Sequence, residues 1–339
     1  MASRNIVVIG ASAGGVEALR AVLGNVPKDL PASVLVVLHL SPDHRSVLPH
    51  ILGTVGPLPA THPIDGESLQ QGHVYVAPPD HHLVVDDGVV RLTRSPREGG
   101  HRPAIDTLFR TAARFHGTRV IGVVLSGALD DGTAGLVAVK QRGGLAVVQD
   151  PRDALCGDMP RSALENVEVD HCLPAAEIGS LISRLTRESV AVHSPVPPLL
   201  EQETNIALER NSQAESPPGT PSEFACPSCG GVLNEVHDAN VVRFQCRVGH
   251  AYGLASLSAD QQDKVEAGLW AALRALEDQI ALNRRLGHRA RLRGHQRTAK
   301  RFEEHEEAAR EQADSIRNLI RKGERWIPVP IEVPAREPA

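Results

Sequence analysis

Aromatic side chains are scarce in this chain: nine in 339 residues, with only Tyr75, Phe109 and Phe115 before Phe224. Together with a formal net charge of -5, that scarcity argues against a nucleic-acid binder, which needs a basic groove and stacking platforms. Long apolar runs are missing too. Val34-Leu-Val-Val-Leu38 is strand-length, far short of the ~18 residues that a membrane span requires. Met1-Ala-Ser-Arg-Asn5 leads straight into Ile6-Val-Val-Ile9, which leaves no room for a secretory leader, so a cytoplasmic protein without membrane insertion is expected. Cysteine is sparse and odd in number, at five, so metal or catalytic roles come before a disulfide framework.

What the first half does contain is Val, Leu, Ile and Ala in short runs broken by Gly and Pro, a composition suited to buried parallel strands. Ile6–Ile9, Val34–Leu38, Val74–Val76, Val120–Leu125 and Leu145–Val148 read as strands. Helical spacing lies between and after them, at Gly15–Leu23, Ser46–Leu52, Ala104–His116, Thr133–Arg142, Ser162–Leu164 and Ala175–Arg187. The alternation predicts an α/β fold with a doubly wound, mainly parallel sheet. Asp87-Gly88 between two apolar runs predicts an antiparallel hairpin at one edge.

Residues 1–188 form this sheet domain. From 189 to 222 the pattern dissolves into Pro, Ser, Glu and Gln and reads as a flexible linker. A compact Cys/His module follows at 223–257, then a helical hairpin at 258–324 and a Pro-rich tail at 325–339. Val265, Leu269, Leu273, Leu276 and Ile280 stripe the first helix of the hairpin; Phe302, Ala309, Ala313, Ile316 and Ile320 stripe the second, with Gly287 and Gly294 between them.

Gly10-Ala-Ser-Ala-Gly14 leaves the first strand and enters the first helix. This is the G-x-S-x-G form of a nucleophile elbow, in which a sharp turn lifts the Ser12 hydroxyl above the sheet and aims the Ala13 amide at a developing oxyanion. Two other readings compete: a dinucleotide turn, whose G-x-G-x-x-G fingerprint fails at Ser12, and a plain helix N-cap. A hydroxyl nucleophile needs a base and a group to orient it. Sixteen histidines make type alone uninformative, so position is the filter: open parallel sheets gather active groups at the carboxyl ends of their strands. His39 follows the second strand, and Asp130 and Asp131 follow Val120–Leu125. Taken singly, His39 reads better as a residue that merely caps a strand and Asp131 as the N-cap of the helix starting at Thr133. Ser12, His39 and an Asp at three neighbouring strand ends together weaken those readings. The order Ser, His, Asp differs from the Ser, Asp/Glu, His order of α/β-hydrolases.

Six phrases together resemble the catalytic domain of CheB-type chemotaxis methylesterases: Ile9-Gly-Ala-Ser-Ala-Gly-Gly15, Val37-Leu-His-Leu-Ser-Pro42, Gly72-His-Val-Tyr-Val-Ala-Pro-Pro-Asp80, His101-Arg-Pro-Ala-Ile-Asp-Thr-Leu-Phe109, Leu125-Ser-Gly-Ala-Leu-Asp-Asp-Gly132 and Met159-Pro-Arg161. The resemblance covers about residues 4 to 187. It implies a hydrolase, a serine esterase that removes γ-methyl esters from glutamates of chemoreceptors or other methylated proteins in signal transduction, with glutamine deamidation as a side activity and no cofactor for catalysis. It implies Ser12 as nucleophile, His39 as base, Asp131 as acid, and an oxyanion hole from the amides of Ala13 and Ala128. Arg102, Met159 and Arg161 are candidate substrate contacts, since guanidinium groups suit a Glu-rich helix. Departures from the family pattern are Ala128, where a methionine is common, and Asp158, where glycine is usual. The family's customary receiver domain has no counterpart before Ile6, so control by phosphorylation of an own receiver is not expected.

Cys226-Pro-Ser-Cys229 and Cys246-Arg-Val-Gly-His250 give C-x2-C and C-x3-H, the paired knuckles of a structural zinc site in a zinc ribbon. Cys226, Cys229, Cys246 and His250 are therefore the expected ligands, and Cys156 and Cys172 read as ordinary buried thiols. A second functional reading makes the sheet domain an inactive docking platform, with residues 223–324 binding a regulatory protein partner.

Overall fold

The computed structural model describes residues 2–40, 46–190, 195–210 and 217–322. Contacts divide the chain into two compact units, Met1–Leu257 and one from Ser258 onwards. The first unit begins with β1 (Ala2–Ser3), β2 (Ile6–Ala11), α1 (Gly15–Leu23), β3 (Ser33–Leu38), α2 (Leu48–Val55), β4 (Ala60–Thr61) and β5 (His73–Val76). It continues with β6 (His82–Asp86), β7 (Val89–Thr93), α3 (Ile105–His116), β8 (Val120–Val124), α4 (Thr133–Gln141) and β9 (Leu145–Gln149). Then come α5 (Asp158–Asn166), β10 (His171–Leu173), α6 (Ala175–Leu185) and β11 (Ser189–Val190), which pairs with β1.

Seven strands form the central sheet in the order β10-β9-β8-β2-β3-β5-β4, and every pairing in it is parallel. Side chains alternate along each strand and supply two cores. Val7, Ile9, Val34 and Val36 pack under α1, α2 and α6 through Leu19, Leu52 and Ile178. Ile6, Val8, Leu35 and Val37 pack under α3 and α4 through Leu108, Phe109 and Leu136. Each of these buried apolar side chains contributes about 1.5–3 kcal/mol from water exclusion. The chain winds to one side from β2 to β3 and returns to the other side with β8, so the switch point lies at the carboxyl ends of these three strands. That is where an open α/β sheet presents a crevice.

The hairpin is present but does not extend the sheet. β6 and β7 form a separate two-stranded sheet, with Asp87 and Gly88 both at positive φ, 45° and 87°, as a tight two-residue turn requires. β4 already covers the β5 edge, and the hairpin's Leu83, Val85 and Val90 are buried in the core beneath α3.

Part of the expected flexible linker is helical. Pro198–Ala207 forms α7, with Pro at its start and Leu200, Glu203, Thr204 and Ala207 buried. Arg114 of α3 donates to Thr204 Oγ1 at 2.8 Å and Asn205 Oδ1 at 2.7 Å. The polar composition hid a one-sided helix that is held by specific partners.

The Cys/His module completes the first unit as a four-stranded antiparallel sheet: β12 (Thr220–Ala225), β13 (Val232–Asp238), β14 (Val241–Cys246) and β15 (Ala251–Gly253). Two long helices follow, α8 (Leu254–Leu292) and α9 (Gln296–Lys322). Their turn lies at Gly294, while Gly287 sits inside α8 facing Ala299 and Phe302. Leu273, Ala299, Ala309 and Ala313 are buried between the helices, but Val265 is exposed. The Pro-rich tail at 325–339 lies outside the described residues.

Candidate active site

β2 delivers Ser12 directly. The Ser12 amide donates to Ser126 O at 2.9 Å, and the chain then turns so tightly that the Gly15 amide donates back to Ser12 O at 2.9 Å. Gly14 takes a φ of 75° at the start of α1, a left-handed conformation that favours glycine. Ser126 Oγ braces the turn by donating to Ala13 O at 2.6 Å and accepting from the Cys156 amide at 2.9 Å. Among the described residues, neither the Ala13 nor the Ala128 amide donates to a protein acceptor. Both residues are exposed, so an incoming oxygen can reach the two N–H groups.

His39, one residue past β3, lies between two partners. Its Nδ1 is 3.1 Å from Ser12 Oγ and its Nε2 is 2.8 Å from Asp131 Oδ2. With Nε2–H donated to the carboxylate, Nδ1 is free to accept the hydroxyl proton, which is the arrangement of a general base with its orienting acid.

Asp131 sits on the N-terminus of α3. Its Oδ2 accepts from the Ile105 amide at 2.8 Å and its Oδ1 from the Asp106 amide at 2.9 Å. Asp106 returns the arrangement: its Oδ1 accepts from the amides of Gly132 at 2.9 Å and Gly135 at 2.6 Å, at the start of α4. Burial pushes the Asp131 carboxyl up, but the His39 hydrogen bond and charge and the two amides outweigh it and hold the group at about 2. Asp106 moves the other way, well above the usual carboxylate range, through burial and the neighbouring Asp131 charge.

The sequence reading singled out neither Asp106 nor His101. His101 stacks on His39, and burial first, then the His39 charge, lower it to about 4, so it is neutral at working pH. An acid in the first turn of α3 is a recognisable signal for Asp106, but a ring stack has none.

A profile of the CheB methylesterase family matches residues 7–182, slightly more than half of the chain. The chain belongs to the CheB methylesterase family. A relative from Leptospira interrogans is 37% identical over 185 residues, spanning 54% of this chain and 96% of its own length. Protein-glutamate methylesterase/protein-glutamine glutaminase 2 of Anaeromyxobacter dehalogenans is 40% identical over 182 residues, which span 54% of this chain and 53% of the relative. The crystal structure of the Thermotoga maritima CheB methylesterase catalytic domain is 35% identical with a TM-score of 0.52, covering 54% of this chain and 99% of that one.

Around the Ser12–His39–Asp131 chain the other candidate residues are distributed unevenly. Met159 is fully buried, and its amide donates to Gly127 O at 2.9 Å. Arg161 is exposed and pairs with Asp158 at 2.9 Å. Arg102 spends its guanidinium on Asp80 at 2.7 Å and on the carbonyls of Arg94 and Ser95, so it braces the loop rather than facing solvent freely. Leu155 overhangs Gly14 and is 82% exposed, an apolar lip that the sequence did not reveal. Of the two remaining thiols, Cys172 is exposed and Cys156 half-buried, so neither is the buried thiol expected.

Beyond the matched span, the ligand atoms of Cys226, Cys229, Cys246 and His250 all lie within 4.8 Å of one another. Two backbone turns gather them, closed by Gly230 N to Cys226 O at 2.8 Å and Gly249 N to Cys246 O at 2.9 Å. Burial pushes the Cys226 thiol up to about 11, whereas His250 is held low by burial and by the Arg102 and Arg97 guanidinium groups. A neutral imidazole and three thiols gathered this closely suit a soft divalent cation, whose charge would offset thiolate formation.

Proposed function

We propose that this chain is a serine esterase that hydrolyses γ-methyl esters of protein glutamates, with glutamine deamidation at the same centre. The observation that carries the reading is the hydrogen-bonded chain Ser12–His39–Asp131, with the acid kept ionised on a helix N-terminus. His39 Nδ1 takes the Ser12 proton as Oγ attacks the ester carbonyl. The amides of Ala13 and Ala128 stabilise the oxyanion. His39 returns the proton to the methoxy oxygen, methanol leaves, and water activated by the same nitrogen frees the glutamate carboxylate from Ser12. Asp131 holds the imidazole tautomer throughout.

The substrate is a methylated chemoreceptor or another methylated protein, gripped by Leu155 and Arg161 at the rim, with Met159 and Arg102 shaping the floor and the loop. The Cys/His cluster holds zinc, which supplies cross-linking of the module rather than chemistry on the ester. No helix among the described residues is long and apolar enough to cross a membrane, and a cytoplasmic location agrees with that. The test is methanol release from a methylated receptor, with the changed glutamates located by mass spectrometry. Ser12→Ala abolishes release on this reading; release that survives the substitution refutes it.

A further inference from the structure

The Cys/His module grips the two segments that wall the active site. Its last strand, β15, lies against the loop that carries His101: the Gly99 amide donates to Ala251 O at 2.7 Å and the Ala251 amide to Arg97 O at 3.4 Å. Immediately afterwards the chain closes on Asp130, the neighbour of Asp131. Asp130 Oδ2 accepts from the Ala255 amide at 2.9 Å, and Ser256 bonds the same carboxyl. The approach is close enough that a Cβ on Gly253 would fall 2.2 Å from Asp130 Oδ2 and push the carboxyl off its partners.

A second grip lies deeper. Arg243 of β14 donates to Glu203 Oε1 at 2.7 Å, and Arg110 of α3 pairs with both Glu203 and Glu98. The side chains of Arg110, Glu203 and Arg243 are no more than 5% exposed. Removing Arg243 with the module would leave two carboxylates, Glu98 and Glu203, to share the single Arg110 guanidinium beside the His101 loop.

The gripped segments need that support. Leu129, next to Asp130, has a φ of 65°, which a leucine adopts only where its surroundings hold it. The module in turn has a small core of its own, built on Leu233, Phe244, Tyr252 and Leu257 with Cys226 and Cys246. A core of that size gains from a staple, and a metal held by its own Cys and His side chains would be one. His250, one of the four candidate ligands, directly precedes β15.

We infer that metal binding by Cys226, Cys229, Cys246 and His250 organises the esterase site: the loaded module fixes the Asp130–Asp131 loop and the His101 loop, and the chain is fully active only with its metal bound. Asp130 is the positioning residue of this clamp. The inference rests on the serine-esterase reading above.

The experiment follows labelling of Ser12 by a fluorophosphonate in the full chain, zinc-loaded and then stripped by a chelator under reducing conditions. Stripping slows labelling about tenfold or more, as small displacements of a catalytic group do, and raises amide exchange at 97–101 and 126–132 but not in β2. Added zinc restores both. Should the stripped chain unfold, a pair of variants decides at full zinc load: Asp130→Ala labels slowly, while Asp130→Asn, which keeps an acceptor oxygen for Ala255, labels at close to the original rate. No labelling of the loaded chain overturns the esterase reading and this inference together. Labelling that is indifferent to zinc, or equal in Asp130→Ala and the unmodified chain, overturns this inference alone.

Discussion

His101 lies face to face on His39, ring centroids 3.8 Å apart and planes within 12° of parallel. A flat neutral neighbour restricts rotation of the base, so Nδ1 stays on Ser12 and Nε2 on Asp131. His101→Ala is expected to lower kcat by about tenfold with little change in KM. His101→Phe, which keeps a stacking surface, should retain most of the rate. Steady-state kinetics on a small ester measures both.

Replacing the acid tests the tautomer. An Asp131→Asn amide would offer His39 Nε2 an N–H instead of an acceptor, turning the proton to Nδ1 where the hydroxyl needs a lone pair. A loss of about 10⁴-fold in kcat is expected, the scale found when a triad carboxylate becomes an amide, while circular dichroism stays unchanged.

The rim is separable from the chemistry. Leu155→Asp and Arg161→Glu touch no member of the Ser12–His39–Asp131 chain, so hydrolysis of a small ester should continue within about twofold. KM for an acidic methylated helix should rise about tenfold, since one lost apolar or charged contact is worth about 1–2 kcal/mol. Parallel assays on the two substrates show the split.

Acid should destabilise the fold in a defined window. His82, His101 and His116 are each lowered from 6.5 to about 4, chiefly by burial. Between those values the unfolded chain binds more protons at these sites than the folded one, so stability rises with pH across the window and is lost as pH falls from 6.5 towards 4. His82 shows why the folded chain resists protonation: its Nε2–H donates to Pro96 O and its Nδ1 accepts the Ala104 amide, so no ring nitrogen has room for another proton. Thermal melts at stepped pH should show the slope, and His116→Gln should remove about a third of the histidine contribution, while the raised Asp106 and Asp130 carboxyls act in the opposite sense.

Residue type and position made Ser12, His39 and Asp131 legible because each follows a strand whose apolar run is plain. The parallel sheet was legible for the same reason. α7 was not, since a helix anchored by Thr204 and Asn205 to Arg114 carries little apolar periodicity. His101 escaped because a stack joins residues 62 positions apart, between loops that only the folded sheet brings together. The hairpin's turn could be read from Asp87-Gly88, but not the surface it would cover, because Leu83 and Val85 suit a helix face as well as a sheet edge.

The exchange of carboxylates between α3 and α4 ties accuracy at the site to the cooperativity of the fold. The start of α3 is closed by Asp131, which stands just before α4, and the start of α4 by Asp106 of α3, so neither can fray without releasing the other. With the Cys/His module loaded, the amides of Ile105, Asp106, Gly132 and Gly135 should then exchange with solvent as one group, at the slow rate of the whole sheet layer. An acid held only by its own loop would wander on the timescale of loops. This one keeps the time of the core.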